Sequence, residues 1–352
     1  MKKRVLLGMS GGVDSSVSAI LLQEQGYEVI GVTMKLLDSE IEGSCCNISS
    51  TMDAKRVCDA LNIPHYTLNF VEEFKEHVIN NFIECYKNCK TPNPCIECNR
   101  YLKFGVMYKK AMELNCDYIA TGHYAKIEYS KKYKKNVLKI ANAKNKDQSY
   151  VLYNMPNYIL DKLLLPLGIF NSKDEIREIA KKYNLLVANK PDSEDICFVT
   201  NGDYKSYLEN NSDIKENIGN IIDKEGNILG KHTGLYKYTI GQRKGLKISS
   251  KIPLYVIGFN KSKNELIVGL ENELYSKEFY IDDVNWLLFD KLEKTIDAFV
   301  KIRYKSDFYK CKIMPLNNKI KVVFETPQKS VTKGQSAVFY IDDIVIGGGK
   351  II

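Results

Sequence analysis

The order of apolar and polar residues divides the chain into a first part that alternates between strand and helix patterns and a second part rich in strand patterns. Over residues 1–125, apolar runs typical of buried strands alternate with segments of helical spacing. The predicted strands are Arg4–Met9, Glu28–Lys35, His65–Phe70 and Asp117–Gly122. This alternation is typical of a parallel sheet covered by helices on both faces, where ligands bind beyond the carboxyl ends of the strands.

The remaining chain is first helical and then β-rich. Helices are predicted from Ile159 to Leu165 and from Ser172 to Tyr183, the second opened by a Ser172–Glu175 capping box. After about residue 200, short β-rich runs alternate with turns, as in a small β domain and a β-barrel. The clearest runs are Leu254–Phe259, Glu265–Val268, Ala298–Tyr304, Ile320–Phe324 and Ala337–Ile341.

We therefore predict an α/β fold in three domains. A parallel-sheet catalytic domain spans residues 1–200, a small β-rich central domain spans 201–279, and a C-terminal β-barrel spans 280–352. The length of 352 residues, with 44% hydrophobic and 27% charged residues, is typical of a soluble protein of several domains. No run approaches the ~20 apolar residues of a membrane span, so we expect a cytoplasmic protein with no membrane partner.

Charge adds a local feature to this picture. The net charge of +8 is weak evidence alone, but Lys126–Lys146 contains eight lysines and one acid, Glu128, with Tyr129 and Tyr133 between them. A basic stretch with aromatic residues suits contact with a nucleic-acid backbone. A solvated hairpin tip is the alternative interpretation.

The segment Gly8–Ser15 lies where the first strand turns into a helix whose apolar face includes Val17 and Ile20. Backbone N–H groups and the helix dipole at such a turn bind anions, and Gly11 and Gly12 let the backbone approach a phosphate. The Gly-Lys-Ser/Thr ending of a Walker loop is missing. The segment predicts a nucleotide site without the usual lysine; a glycine-rich turn that merely caps a helix is the alternative.

The cysteines suggest chemistry. In a cytoplasmic chain its ten cysteines are expected to be reduced thiols, available for metal binding or catalysis. Cys85, Cys89, Cys95 and Cys98 are close together in sequence, and Cys197 is far downstream. A helix is predicted from Arg100 to Tyr108, so a thiol just before it would feel the helix N-terminus and the cations Arg100 and Lys103, which favour the nucleophilic thiolate.

Three interpretations of these cysteines compete. The four clustered cysteines could form a structural zinc site, although their spacing departs from paired Cys-x-x-Cys motifs. An iron–sulfur cluster held by Cys95, Cys98 and Cys197 would leave one iron open for substrate sulfur. The third, which we favour, is a redox-active pair of Cys98 and Cys197, in which a persulfide on one thiol delivers sulfur and the other thiol resolves it as a disulfide.

Eight segments together carry a family resemblance over essentially the whole chain. They are Gly8–Ser15, Thr91–Asn99, Ala120–Tyr124, Lys146–Tyr150, Asp192–Phe198, Thr239–Leu246, Arg303-Tyr304 and Gly334–Tyr340. With them the chain resembles the bacterial tRNA-specific 2-thiouridylases of the MnmA/TrmU family. The Ser10–Ser15 string (Ser-Gly-Gly-Val-Asp-Ser) within the first segment is similar to the signature of the PP-loop ATP pyrophosphatases.

The resemblance implies a PP-loop, adenine-nucleotide-hydrolase-like first domain and a tRNA 2-sulfurtransferase activity. ATP and Mg²⁺ would adenylate the C2 oxygen of the wobble uridine (U34), and sulfur from a cysteine persulfide would replace that oxygen. Implied partners are the tRNAs for Lys, Glu and Gln and a sulfur-donor protein, either a cysteine desulfurase or a relay protein. Delivery of the sulfur through an iron–sulfur cluster remains a competing hypothesis, as do a different PP-loop enzyme and a metal-binding RNA scaffold.

The resemblance also implies roles for residues. ATP would be held by Gly8, Met9, Ser10, Gly11, Gly12, Val13, Asp14, Ser15, Met34 and Gly122. Cys98 would be the nucleophile that faces the uridine, and Cys197 would carry the persulfide. The pocket of the flipped-out base would be lined by Asn93, Pro94 and Cys95. Contacts to tRNA would come from His123, Lys146, Asp147, Gln148, Arg303, Tyr304 and Gln335.

Cys95 departs from the family pattern. Many members have Asp at this position, and that Asp is assigned a general acid/base role. A thiol, with its higher ordinary pKa and weaker hydrogen bonding, cannot simply take over that role. Cys95 is therefore either a substitute base as thiolate or a cluster ligand, and Cys89 is a further possible ligand.

Overall fold

The protein is described from a computed structural model covering residues 2–38, 48–191, 196–199 and 202–352, apart from the side chain of Ile48. The first four residues of the Asp192–Phe198 segment and the predicted boundary between residues 200 and 201 lie outside the described residues.

Strands and helices follow one another in the expected order. The strands are β1 (Arg4–Gly8), β2 (Glu28–Lys35), β3 (His65–Asn69), β4 (Tyr118–Ala120), β5 (Lys126–Ser130), β6 (Lys135–Lys139), β7 (Leu163–Leu164), β8 (Gly219–Ile222), β9 (Ile228–His232), β10 (Tyr255–Asn260), β11 (Glu265–Gly269), β12 (Tyr275–Trp286), β13 (Ile296–Lys301), β14 (Tyr309–Leu316), β15 (Lys319–Lys329), β16 (Ser336–Ile341) and β17 (Ile344–Ile351). The α-helices are α1 (Val13–Glu24), α2 (Ile48–Ala60), α3 (Val71–Phe74), α4 (Asn80–Lys87), α5 (Pro94–Glu97), α6 (Met107–Glu113), α7 (Ser149–Leu152), α8 (Lys173–Lys182) and α9 (Tyr204–Asn211). π-Helical turns occupy Lys75–Ile79 and Cys98–Val106, and 3₁₀ turns occupy Asn157–Asp161, Pro166–Ile169, Leu235–Lys237 and Glu271–Leu274.

The first sheet is parallel, with the strand order β3-β2-β1-β4-β7. Its central strand β1 is buried on both faces, and the side chains of Val5, Leu6 and Leu7 have no exposed surface. Such a continuous apolar strand is the pattern expected when helices cover both sides of a parallel sheet. The predicted α/β fold is therefore confirmed, with strand ends shifted by one or two residues.

The predicted helix from Ile159 to Leu165 is wrong. A 3₁₀ turn over Asn157–Asp161 leads into the short strand β7, whose Leu163 and Leu164 pair in parallel with β4. A short apolar run fits a buried helix and a buried strand equally well by spacing alone, and here the unpaired edge of β4 decides the outcome. The helix predicted from Ser172 is present as α8, and the Ser172 hydroxyl caps it by accepting a hydrogen bond from the Glu175 N–H.

The second half of the chain forms two β structures. Strands β8–β11 make a four-stranded sheet in the order β10-β11-β8-β9. Strands β12–β17 form a barrel in the order β12-β15-β14-β13-β16-β17, which closes through pairing of β12 with β17. The predicted small β domain and C-terminal barrel are thus confirmed.

The lysine-rich stretch is a hairpin that extends the barrel sheet. Strands β5 and β6 pair with each other, and β6 joins β17 where Lys139 lies opposite Ile344. The Lys139 ammonium contacts the carboxylates of Glu128 at 3.0 Å and Asp343 at 2.7 Å. Part of the positive charge therefore attaches the hairpin to the barrel. Its exposed tip carries Lys131–Lys134, and contact of this tip with RNA stays a prediction.

The α/β part and the barrel share buried contacts at α7. The Tyr150 hydroxyl donates to the Ser336 carbonyl at 2.8 Å, and the Tyr153 and Ser336 hydroxyls lie 3.0 Å apart. The Asn285 amide donates to the carbonyls of Tyr153 and Met155. Both tyrosines are fully buried. The barrel is thus packed onto the first domain rather than tethered to it.

Replacing Phe324 with alanine should destabilise the barrel. Phe324 is 1% exposed and packs in the barrel core against Phe279 and Tyr309. Loss of such a buried ring costs about 3–5 kcal/mol. We expect a clearly lower thermal unfolding midpoint for Phe324→Ala, and little change for Leu316→Ala, whose side chain is 47% exposed. Equal effects of the two substitutions would contradict this description of the core.

Candidate active site at the carboxyl edge of the parallel sheet

The loop between β1 and α1 has a backbone that requires glycine. Gly11 has a φ of +68°, and a Cβ at this position would lie 2.1 Å from the Ser50 carbonyl oxygen. Side chains of the loop and of α1 shape the turn further: the Ser15 hydroxyl accepts from the Ser10 N–H, and the Ser16 hydroxyl donates to the Gly12 carbonyl. The loop therefore has a defined conformation at the helix N-terminus, where a phosphate is best accommodated.

The two strands beside β1 bring the other predicted nucleotide residues to this loop. A Cβ on Gly122, just after β4, would lie 2.9 Å from the Ser15 nitrogen, so the chain passes directly against the loop. Met34 is half-buried near the end of β2, on the opposite side of β1. The structure thus brings Gly8–Ser15, Met34 and Gly122 together at one edge, and ATP binding by them stays a prediction.

Two lysines outside the predicted site residues contact the loop. The Lys190 ammonium donates to the Gly11 carbonyl at 3.0 Å and to the Asp53 carboxylate at 2.8 Å. The Lys173 ammonium, on a side chain that is 10% exposed, lies 2.8 Å from the Asp14 carboxylate. These lysines place cations where a Walker lysine is missing. The position of Lys190 just before the Asp192–Phe198 segment is the one signal for it in the sequence; nothing there connects Lys173 to the loop.

The cysteine-bearing helix begins earlier than predicted. It starts at Pro94 rather than near Arg100 and continues without a break through α5, the π-helical turns and α6. Asn93 is its N-cap, since its side-chain oxygen accepts from the Cys95 N–H at 3.2 Å, and Pro94 suits the first helical position. Cys95 therefore lies in the first turn and Cys98 one turn later. The helix N-terminus favours the thiolate of Cys95 more directly than that of Cys98.

The two predicted catalytic thiols pack on one core. Cys98 and Cys197 are reduced, half-buried cysteines, and both contact the large hydrophobic cluster that includes Phe82 and Phe198. Cys95 is reduced and exposed. By contrast, burial raises the pKa of the Cys85 and Cys89 thiols, which keeps them in the less nucleophilic protonated form.

The cysteines do not form a metal centre in the part of the chain that the structure describes. Across those residues, no three side chains of His, Cys, Asp or Glu are grouped so that they could hold a metal ion. The placement of the clustered cysteines therefore fits neither a structural zinc site nor a cluster on Cys95, Cys98 and Cys197.

A polar cavity of about 220 Å³ lies beside the N-cap of this helix. Its lining includes Cys85, Lys90, Asn93, Glu97 and Lys350, so the first domain and the barrel both contribute. Of the residues predicted to form the base pocket, Asn93 lines this cavity and Pro94 and Cys95 do not. The base pocket stays a prediction.

Two of the predicted tRNA contacts are buried within the protein. His123 is 9% exposed, with its ring nitrogens 2.7 Å from the Thr121 hydroxyl and 3.2 Å from the Lys103 ammonium. Burial, and then Lys103, hold the pKa of His123 well below its usual value, so the ring is neutral. The Asp147 carboxylate accepts from the backbone N–H groups of Ala141 and Ser149 and from the Ser149 hydroxyl.

The remaining predicted tRNA contacts differ in exposure. Arg303 is exposed, while Tyr304 and Lys146 are half-buried. The Gln148 side-chain oxygen accepts from the Tyr124 N–H. The Gln335 amide donates to the carbonyls of Thr91 and Pro92, so it supports the segment that leads into the cysteine-bearing helix. Contact of these seven residues with tRNA stays a prediction.

Comparisons with known proteins agree along the chain. Family models match residues 3–201 (tRNA methyl transferase HUP domain), 205–270 (tRNA methyl transferase PRC-barrel domain) and 276–351 (Aminomethyltransferase beta-barrel domain). The tRNA-specific 2-thiouridylase MnmA of Clostridium botulinum (strain Alaska E43 / Type E3) is 51% identical, over 99% of this chain and 98% of its own. That of Clostridioides difficile (strain 630) is 49% identical, over 100% and 98%.

Among solved structures, the U34-tRNA thiolase NcsA from Methanococcus maripaludis with its [4Fe-4S] cluster overlaps 59% of this chain and 65% of its own, at 19% identity and a TM-score of 0.36. An overlap of this quality has no bearing on function. No helix in the described ranges has both the length and the apolar character needed to cross a bilayer.

A family model that covers more than half of the sequence and relatives about half identical along nearly their full length lead to one conclusion. The chain belongs to the family of tRNA-specific 2-thiouridylases.

Proposed function

We propose that this protein replaces the C2 oxygen of the wobble uridine of tRNA with sulfur, at the expense of ATP. The observation that supports this most strongly is that one hydrophobic cluster lies under four of the predicted site residues: Met34, Cys98, Cys197 and Tyr304. A nucleotide edge, two thiols and an RNA-facing residue are thus mounted on one rigid core. This is the set of groups that activation and sulfur transfer require.

The first step is adenylation. The C2 oxygen of the uridine attacks the α-phosphorus of ATP, the bond from this phosphorus to the bridging oxygen breaks, and pyrophosphate leaves. N–H groups of the loop, together with Lys190 and Lys173, would stabilise the negative charge of the leaving group. Mg²⁺ takes most of its ligands from water and phosphates, so Asp14, a carboxylate within the loop, suits it; when bound it neutralises phosphate charge.

The second step transfers sulfur. The terminal sulfur of a Cys197 persulfide attacks C2 and AMP leaves, which joins the Cys197 sulfur to the base through a disulfide. The Cys98 thiolate then attacks Sγ of Cys197, and the sulfur attached to C2 departs with the bond electrons as 2-thiouridine. A Cys98–Cys197 disulfide remains, and a thiol reductant must reduce it before the next turnover. No step is assigned to an iron–sulfur cluster, since the cysteines among the described residues are not placed to hold one.

Cys95 is a candidate acid or base in this site. It is exposed in the first helical turn, and it lies close enough to Tyr304 to contribute, after burial and Asp147, to the raised pKa of the Tyr304 hydroxyl. A position near a residue predicted to contact tRNA fits proton transfer at the base.

Several finer expectations belong to the same proposal. They are the domain boundaries after residues 200 and 279, the tRNAs for Lys, Glu and Gln as substrates, a cysteine desulfurase or relay protein as sulfur donor, and a cytoplasmic location.

Cys197→Ser separates the two steps. Without the persulfide-bearing thiol, we expect no 2-thiouridine by mass spectrometry of digested tRNA, while ATP is still cleaved to AMP and pyrophosphate in the presence of tRNA. Cys311→Ser, at a buried barrel cysteine, is the matched control and should retain thiolation. Normal 2-thiouridine formation by Cys197→Ser would overturn the persulfide assignment, and a different modified nucleoside made by the wild type would indicate another PP-loop activity.

Lys190→Met tests the loop lysines. Loss of a charged hydrogen-bond donor at a phosphate site costs about 1.5–3 kcal/mol, or roughly 10–100-fold in affinity. We expect that loss in calorimetric titration with a non-hydrolysable ATP analogue. Lys181→Met removes a lysine from an exposed pair with Glu178 and should bind the analogue as the wild type does. Unchanged affinity in Lys190→Met would show that this lysine serves only Asp53 and the loop backbone.

A further inference from the structure

The segment before the cysteine-bearing helix is held by the barrel. The Thr91 N–H donates to the Lys333 carbonyl at 2.9 Å, and the Gln335 amide donates to the Thr91 and Pro92 carbonyls. A Cβ on Gly334 would lie 2.8 Å from the Lys90 side chain, so the two chains touch closely. The approach to the helix therefore has a fixed position relative to the turn before β16.

The helix itself is held by four charged groups that alternate between the two domains. Lys350 on β17 contacts the carboxylates of Glu97 at 3.0 Å and Asp283 at 3.3 Å. Asp283 on β12 in turn accepts from Arg100 at 3.0 and 3.2 Å. We call Glu97, Lys350, Asp283 and Arg100 the seam network. Two members belong to the helix and two to the barrel, and the formal charges sum to zero.

Burial makes this network demanding. Glu97 is 4% exposed, and its carboxylate has given up most of its hydration. Burial alone would lower the pKa of Lys350, yet Glu97 and Asp283 raise it, so the ammonium stays charged. Likewise, Arg100 and Lys350 hold the pKa of Asp283 below its usual value against the effect of burial. A buried charge without its partner costs several kcal/mol, so the network locks the helix to the barrel.

Cys98 lies between these anchors. Glu97 precedes it, Arg100 follows two residues later, and the side-chain amide of the intervening Asn99 donates to the Val151 carbonyl at 2.9 Å. Three of the residues from 97 to 100 are therefore tied to other elements, and Cys98 is the residue that they surround. Its Sγ can move only as far as these contacts allow.

We propose that the C-terminal barrel positions the Cys98 nucleophile, through Lys350 and Asp283 on Glu97 and Arg100. The four are positioning residues: none of them needs to touch the uridine. The inference rests on the proposed function for the role of Cys98 and adds a second task for the barrel, beyond its contact with tRNA. A displacement of about 1 Å at a reacting atom can cost on the order of 100-fold in rate, so loss of the network should appear in the chemical step.

Lys350→Met is the direct test. It leaves Glu97 buried without its cation, and we expect kcat for 2-thiolation to fall about 10–100-fold while KM for tRNA changes less than about threefold. Lys350→Arg restores the cation and should recover most of kcat. Lys312→Met is the control, because it removes an exposed barrel lysine from its contact with Asp297. A raised KM for tRNA with unchanged kcat would overturn the proposal and leave the barrel as an RNA grip.

The double variant Glu97→Gln/Lys350→Met separates positioning from stability. Removal of both charges leaves neither one buried alone, so its thermal midpoint should return toward that of the wild type. Its kcat should remain low, because the link between helix and barrel is still missing. Recovery of kcat together with the midpoint would show that the network is only a stabilising contact.

A readout without catalysis keeps this inference distinct from the proposed function. In Lys350→Met we expect faster hydrogen exchange of the amides of residues 91–100 and a changed rate of Cys98 alkylation by iodoacetamide, followed by mass spectrometry of the Cys98 peptide. Lys312→Met should match the wild type in both. If the wild type forms no 2-thiouridine, the proposed function fails while these two measurements still decide whether the barrel positions Cys98. Unchanged exchange and alkylation in Lys350→Met would overturn the inference.

Discussion

The buried contact between Glu97 and Lys350 is the interaction on which the arrangement of the site depends. A carboxylate that is 4% exposed needs a cation, and the cation comes from a strand of the C-terminal barrel. The helix that carries Cys95 and Cys98 can therefore reach its position only when the barrel has folded against the first domain. The buried tyrosines of α7 hold the same two parts together, so the site and the interface are stabilised jointly.

A second constraint acts at the opposite end of the core. Gly11 and Gly122 allow two segments to approach the β1–α1 loop more closely than any side chain would permit. Lys173 and Lys190 then reach the loop from α8 and the segment after it. The nucleotide edge and the thiols are thus fixed by independent contacts on one hydrophobic cluster. Such a cluster transmits little motion, and a reaction that joins two activated groups requires this rigidity.

The sequence alone predicts the architecture well where one pattern dominates. The βα alternation yields the parallel sheet, and glycine-punctuated β-rich runs yield the small sheet and the barrel. It fails where two local outcomes are nearly equal in energy. The run from Ile159 to Leu165 becomes a turn and an edge strand because β4 offers unpaired backbone groups. The sequence places the start of the cysteine-bearing helix too late, because two nearby prolines favour an extended segment, whereas Asn93 and Pro94 in fact cap the helix.

Within the site, the sequence identifies residues that belong to motifs and misses those that act across domains. Lys350, Asp283 and Lys173 are ordinary charged residues in sequence, and only the folded chain brings them to Glu97, Arg100 and Asp14. Burial is equally invisible: His123 and Asp147 carry groups typical of RNA contact, yet they lie inside the protein. Long-range pairing and solvent access are properties of the tertiary structure.

The central claim is that one site adenylates the uridine and then delivers sulfur through two thiols. A single-turnover experiment with persulfide-loaded protein, tRNA and ATP tests it most directly, with AMP, pyrophosphate, 2-thiouridine and the Cys98–Cys197 disulfide quantified together. The account predicts equal amounts of all four products. Formation of ADP and phosphate, or of 2-thiouridine without the disulfide, would contradict it.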